Sequence, residues 1–204
     1  MPKLRYKQFV EKLEKSSAFS FKQIEAKLGK NYAKTFIHTL AKRGRIVKLL
    51  KGWYTFKKSP YLITIPLGKA YIGLGTAAFL HGAWNQVPIV CVLSPNASLK
   101  ARSGMRVVAG WNVLIKKISD KMYFGYEEKF FEDIEEWIRV SDIEKTLIDI
   151  VYYDYAFAGE IIPKLMEMAS RKKLEKYIKM MKARKVGKWK RVSEKIFSYR
   201  CSVA

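Results

Sequence analysis

Cysteine and histidine are almost missing from this 204-residue chain, with two of each. Cys91 lies in an apolar run and Cys201 near the end, so neither a disulfide framework nor a metal cluster is expected. Long hydrophobic runs are missing too. The longest weakly polar stretch, Ala70 to Leu80, is about half of the roughly 20 residues a membrane-spanning helix needs. The opening MPKLRYKQF lacks the apolar core of a signal peptide, so the expectation is a cytoplasmic protein with no membrane partner. Low-complexity composition is absent. With hydrophobic residues at 49% and aromatics at 14%, the chain can offset its conformational entropy by burial. Its 23.7 kDa allow one medium domain or two small ones.

Acidic residues are scarce, and their scarcity is uneven. Lys and Arg number 40 against 18 Asp and Glu, a net +22, far beyond the roughly 2 to 8 units that keep a small domain soluble. Residues 1–58 hold 16 cations and 3 acids, residues 59–170 hold 11 and 13, and residues 171–204 hold 13 and 2. Two basic ends around a slightly acidic middle is the asymmetry expected of separate elements that meet a polyanion. A lysine-rich proteome of a hot-living organism is the competing explanation. There, however, Glu rises with Lys, and in the end segments it does not.

What is present in the first segment is helical periodicity. Tyr6, Phe9, Val10 and Leu13 predict an amphipathic helix over Lys3 to Lys15. Ser20 and Gln23 match a capping box, and Phe21, Ile24 and Leu28 give a short apolar face before Gly29 stops the second helix. A third helix, Asn31 to Arg43, buries Ala33, Phe36, Ile37 and Leu40 and ends at Gly44. Arg45 to Leu50, the turn Lys51-Gly52 and Trp53 to Phe56 then read as a β-hairpin. Helix, helix, turn, helix and hairpin in under 60 residues is the layout of a winged helix-turn-helix, whose last helix enters the major groove. Lys34 and Lys42 suit phosphates; Asn31, Thr35 and His38 suit base edges. With Lys30, Arg43, Arg45, Lys48, Lys51 and Trp53 they form the candidate DNA-binding set. A solvated helix face explains any one of these residues alone, and winged helices also serve as protein-interaction modules.

Ser59-Pro60 and Tyr61 to Gly68 read as a linker, because two prolines discourage helix. Beyond it, Thr76 to His81 predicts a short helix. Strands are expected at Val87 to Leu93, Arg106 to Val108, Val113 to Ile118, Lys121 to Tyr126 and Trp137 to Val140. Ser141 to Glu144 reads as a capping box opening a helix that buries Ile143, Leu147, Ile150 and Val151. Chemistry is thin here. Glu127, Glu128, Glu132, Asp133, Glu135 and Glu136 could hold a nuclease metal, but without histidine they read as a solvated acidic loop. His81 and Cys91 lack a third orienting group, and Gly73-Leu74-Gly75-Thr76 lacks the lysine of a phosphate loop. Lys145 and Asp149 read as an i, i+4 pair worth about 0.2 to 0.5 kcal/mol.

Three blocks, LAKRGRIVKLLKGWYTF (Leu40 to Phe56), YIGLGTAAFLHGAW (Tyr71 to Trp84) and VSDIEKTLIDIVYY (Val140 to Tyr153), resemble in content and order the AbiE-type antitoxins, transcriptional regulators of viral defence. The resemblance covers about residues 1 to 160. It implies that the first block belongs to a winged DNA-binding domain and that the second opens an antitoxin domain, whose signature is Glu144, Lys145, Thr146, Leu147 and Asp149. It also implies an operator-binding repressor of its own type IV toxin-antitoxin operon in abortive infection. The toxin would resemble a nucleotidyltransferase, with neutralisation not requiring a stable complex.

The end of the chain carries two apolar stripes, Leu174, Tyr177, Ile178, Met181 and Trp189, Val192, Ile196, Tyr199. A membrane-surface helix competes with docked helices there, but the apolar faces are narrow. Lys172, Lys173, Lys176, Lys179, Lys182, Arg184, Lys185, Lys188, Lys190 and Arg191 form a candidate second basic surface, for phosphates or for an acidic protein.

The expectation is therefore an α+β protein: a winged helix-turn-helix (1–58), a small α/β domain with a mixed sheet (59–170), and basic C-terminal helices (171–204) packed on it. The expected partner is double-stranded operator DNA, compatible with a homodimer. No cofactor, metal or enzymatic activity is expected. A stand-alone repressor and a metal-dependent nuclease using the acidic middle are the alternatives.

Overall fold

A computed structural model describes residues 6–86 and 89–201. Over them the protein is mixed α and β. Lys3 to Arg5 of the first expected helix, and Val87 and Pro88 of the expected strand, lie outside the described residues.

Helices α1 (Lys7–Lys15), α2 (Phe21–Leu28) and α3 (Lys30–Lys42) pack around Leu13, Ile24, Ala33, Ile37 and Leu40, the positions the 3.6-residue period selects. The Ser20–Gln23 capping box forms in both directions. The hairpin consists of β2 (Val47–Leu50) and β3 (Trp53–Thr55), and β1 (Phe19–Ser20) pairs with β3 to give a sheet of order β1-β3-β2. Strand β1 brings the fully buried Phe19 against Tyr54 and Phe56.

The expected linker is folded. Pro60–Ile63 form a 3-10 turn that runs into α4 (Thr64–Leu67), and Ser59 is buried. Both prolines stand in the first turn of their element, where an N–H has no intrahelical partner, so neither obstructs it. Leu49 and Leu50 of the hairpin join Leu62, Ile63 and Leu67 in one core. Across the same junction Lys57 Nζ donates to Glu136 Oε1 and to the Ile134 carbonyl, both at 2.6 Å.

The larger sheet takes β4 (Tyr71–Ile72), β5 (Val90–Ser94), β6 (Gly104–Val108), β7 (Trp111–Lys117), β8 (Tyr126–Phe131) and β9 (Glu136–Ser141) in the order β6-β7-β5-β4-β9-β8. It is mixed: β4/β9 and β5/β7 run parallel, the other pairs antiparallel. Alternation sends Tyr71, Cys91 and Leu93 to one face and Ile72, Val90 and Val92 to the other. The first face is covered by α5 (Leu74–Leu80), α7 (Ile143–Tyr152), α8 (Ala158–Met168), α9 (Arg171–Ala183) and α10 (Trp189–Cys201). The second takes α4, the hairpin leucines and Ala97 of α6 (Ala97–Lys100).

The expected strand Lys121 to Tyr126 is corrected, and the expected acidic loop holds only for Glu132, Asp133 and Glu135, which form the turn between β8 and β9. Asp120–Met122 form a 3-10 turn, and the strand starts at Tyr126 and runs through Glu127 and Glu128 to Phe131. Gly125 makes the break, at φ +67°, where a Cβ would come within 2.8 Å of the Lys145 Cβ. Glu127 and Glu128 are adjacent, so one falls on each face of the ladder with β9, and Glu136 opens β9. Leu174, Ile178, Met181, Val192 and Ile196 are buried in the main core, so both C-terminal stripes face inward. Among the described residues no helix is long and apolar enough to cross a membrane.

Candidate nucleic-acid interface

Helices α2 and α3 are separated by Gly29 alone. Its φ of +78° and ψ of 157° lie where side chains are not tolerated, and its N–H and C=O close the two helices at Glu25 and Ala33. This bend fixes which way α3 faces. With Ala33, Ile37 and Leu40 inward, Lys30, Asn31, Lys34, Thr35, His38 and Lys42 are all exposed on the outside. Thr35 also back-bonds to the Asn31 carbonyl at 3.3 Å.

This face is uncompensated. Lys30, Lys34, Lys42, Arg43, Lys48 and Lys51 are exposed, and among the described residues none of them forms an ion pair. The sequence carries a signal for this that segment charges average out: from Ala26 to Ser119 the chain contains no Asp or Glu. Two members of the candidate set do other work. Arg45 pairs with Glu14 and lies over the Phe56 ring, and half-buried Trp53 packs on the core that holds Leu49 and Leu50.

The second basic surface is likewise divided. Lys173 is held by Glu144 Oε2 at 2.9 Å and Asp142 Oδ2 at 3.2 Å, and Arg191 by Asp154 at 2.8 Å. Lys182 and Lys188 lie over the rings of Trp189 and Tyr152. Arg184 lies over Phe124 and donates to the Lys121 carbonyl. Lys172, Lys176, Lys179, Lys185 and Lys190 are exposed without an acidic partner among the described residues.

Helix α7 departs most from its sequence reading. Its N-cap is Asp142, whose side chain accepts from the Lys145 N–H at 2.8 Å; Ser141 instead exchanges a hydroxyl hydrogen bond with Thr146. Glu144 accepts from the Ser170 N–H at 2.8 Å and holds Lys173, so it positions α9 and does not close a capping box. Lys145 and Asp149 are not a surface pair. Both side chains are fully buried and in contact, Tyr71 donates to Asp149 at 2.8 Å, and the ammonium lies 4.8 Å from the Phe124 ring centroid. Burial pulls Lys145 below the ordinary lysine value and pushes Asp149 above the ordinary carboxylate value, each opposed by the charge of the other. Tyr71 is raised by its own burial and by Asp149. With no opening to solvent, this cluster is an internal polar joint of helix to sheet.

His81 Nε2 donates to the Ser141 carbonyl at 2.7 Å, and Cys91 is buried, with burial pushing its thiol up. Thr76 donates to the Ile89 carbonyl and accepts from the Cys91 N–H, which absorbs the Gly73 to Thr76 motif into the fold. Among the described residues no group of three or more His, Cys, Asp or Glu could hold a metal ion. No protein-family model matches the chain, and no curated protein matches it.

Proposed function

We propose that the chain is a sequence-specific, double-stranded DNA-binding transcriptional regulator. In this reading residues 1–58 are a winged helix-turn-helix, α3 lies in the major groove, and the β2–β3 hairpin is the wing. The observation that carries it is the outer face of α3, where exposed Lys30, Lys34 and Lys42 flank Asn31, Thr35 and His38 without an ion-paired acid. Unpaired lysines supply phosphate attraction, and short polar side chains between them reach base edges. The AbiE resemblance of the three blocks supports the further reading of a type IV antitoxin that represses its own operon and is paired with a nucleotidyltransferase-like toxin. The exposed Lys172, Lys176, Lys179, Lys185 and Lys190 are then available to flanking phosphates.

Anisotropy titrations with duplex DNA, run with and without Mg²⁺ and followed on a gel, test this reading. Binding without cleavage is expected; Mg²⁺-dependent cleavage would instead favour a nuclease acting through the acidic hairpin. Replacing Lys34 and Lys42 with alanine should lower the salt slope by about 1.8, at about 0.9 per phosphate, so a fourfold rise in salt costs the variant about twelvefold less affinity than it costs the parent. Replacing Asn31 or Thr35 should cost discrimination, about 1 to 3 kcal/mol per lost base contact. An unchanged salt slope in the lysine variant removes α3 from the interface.

A further inference from the structure

The β8–β9 hairpin carries an apolar face that the other described residues leave open. Phe130 and Trp137 stand opposite each other in the ladder with ring centroids 5.3 Å apart. They are 45% and 61% exposed, and Ile65 of α4 is 39% exposed. Trp137 and Ile65 line one cavity of about 230 Å³, together with Gly68 and Arg139. The other face of the same hairpin is finished: Ile138 and Val140 are buried in the core, with Phe131 packed against it. A cross-strand aromatic pair adds only about 0.2 to 1 kcal/mol to a ladder, so a strand pair with a filled core face gains little by placing a tryptophan and a phenylalanine on its solvent face. Such residues are the usual anchors of protein interfaces.

The surrounding charge selects the occupant. Six of the chain's 18 acids fall between Glu127 and Glu136. Glu132, Asp133 and Glu135, at the turn beside the aromatic rung, are exposed and form no ion pair among the described residues. On a chain of net +22 this local excess of acid stands apart. It repels nucleic acid and anionic lipid, and it attracts lysine and arginine. We propose that the Phe130–Trp137 face is a docking surface for a basic protein partner, which seats an apolar side chain on the ring pair and lays cations along the Glu132–Asp133–Glu135 turn. This surface is independent of the α3 face and of the DNA reading.

The test uses the full chain labelled with 5-fluorotryptophan, whose five tryptophans give separate fluorine resonances; Trp137→Phe identifies one of them. Three synthetic peptides of equal length serve as probes: a Leu-Phe centre flanked by lysine and arginine, the same centre flanked by glutamate, and the basic flanks around alanine. The basic peptide with the apolar centre should shift the Trp137 resonance alone. The shift should weaken about tenfold in 0.5 M salt and in Glu132→Lys/Asp133→Lys, because exposed charge pairs are screened beyond a few ångströms at that ionic strength. Circular dichroism should give the parent's melting curve for that variant. The proposal is overturned if the basic anchored peptide leaves Trp137 unmoved, or if the acidic or alanine peptide moves it equally. It is also overturned if the resonance moves with protein concentration alone while sedimentation reports dimers, which would assign the face to a second copy of the chain.

Discussion

Asp149→Ala should be among the most damaging single changes in the larger unit. Asp149 and Lys145 are both fully buried, and Asp149 is the acceptor for the Tyr71 hydroxyl as well as the partner of the Lys145 ammonium. Removing it strands an ammonium between the Phe124 and Tyr71 rings, at 4.8 and 5.3 Å from their centroids, and leaves a buried hydroxyl without its acceptor. Breaking a buried pair costs about 3 to 5 kcal/mol, and an orphaned buried hydroxyl about 1 to 3 more. In a chain of this size each kcal/mol is worth about 2 to 4 °C, so a fall of at least about 6 °C is expected. Lys145→Met/Asp149→Leu removes both charges and should recover most of that loss, since apolar replacement of a buried pair is often neutral or stabilising. Urea unfolding of the parent, Lys145→Met, Asp149→Leu and the double variant closes the cycle. A cost below about 1 kcal/mol for Asp149→Ala, the range of an exposed pair, would refute the buried joint. DNA binding, measured where every variant is folded, should not change, because neither side chain reaches the surface.

Gly29→Ala meets no atom within 4 Å, so its effect isolates backbone conformation. At φ +78° and ψ 157° the strain is about 1 to 3 kcal/mol, visible as a lower melting temperature together with weaker DNA binding. An unchanged melt would show that α3 does not depend on this bend. For Glu144, burial alone would raise the carboxyl, but the Ser170 N–H and Lys173 outweigh it and hold it below 4.5. A depressed carboxyl stabilises the fold above its unfolded value, and that contribution is lost as pH falls through the folded value. Glu144→Gln should therefore melt below the parent at neutral pH, with the gap closing as pH drops under 4.5; a gap constant with pH would contradict the assignment.

The N-terminal unit was the most legible part because its determinants are local. Ser20 and Gln23 lie three residues apart, Ala33, Ile37 and Leu40 repeat at helical spacing, and Gly29 marks its own turn. What escaped was non-local or too short to have a period. Strand β1 has two residues, and only its partner β3 defines it. Pro60 and Pro66 read as helix breakers because position within the turn, not identity, decides what a proline does. Glu127 and Glu128 read as part of a loop because they are adjacent, exposed charges on the edge strand β8, so no period of two marks the strand there. Lys145 and Asp149 were misread for a related reason. Their i, i+4 spacing says that they meet, but whether they meet in water depends on Tyr71, 78 residues away from Asp149.

The same reasoning decides which part of the +22 is available to a partner. Charge counted along the sequence treats every lysine alike, yet the fold assigns many of them an internal task. Lys57 ties the hairpin end to β9, Lys173 ties α9 to the start of α7, and Arg191 ties α10 to Asp154. Each such pairing is with an acid of residues 59–170, so the acids of the middle segment act as anchors for basic elements that follow or precede them. On α3 and the hairpin turn no acid is within the local sequence to play that part, since the nearest in the chain are Glu25 and Asp120. Lys30, Lys34, Lys42 and Lys51 consequently stand at the surface without an ion-paired acid among the described residues, and in the proposed DNA-binding reading an incoming polyanion would relieve the repulsion among them. The Glu132–Asp133–Glu135 turn is the converse case: its acids form no ion pair among the described residues, which is why the occupant argued for that face must bring cations of its own.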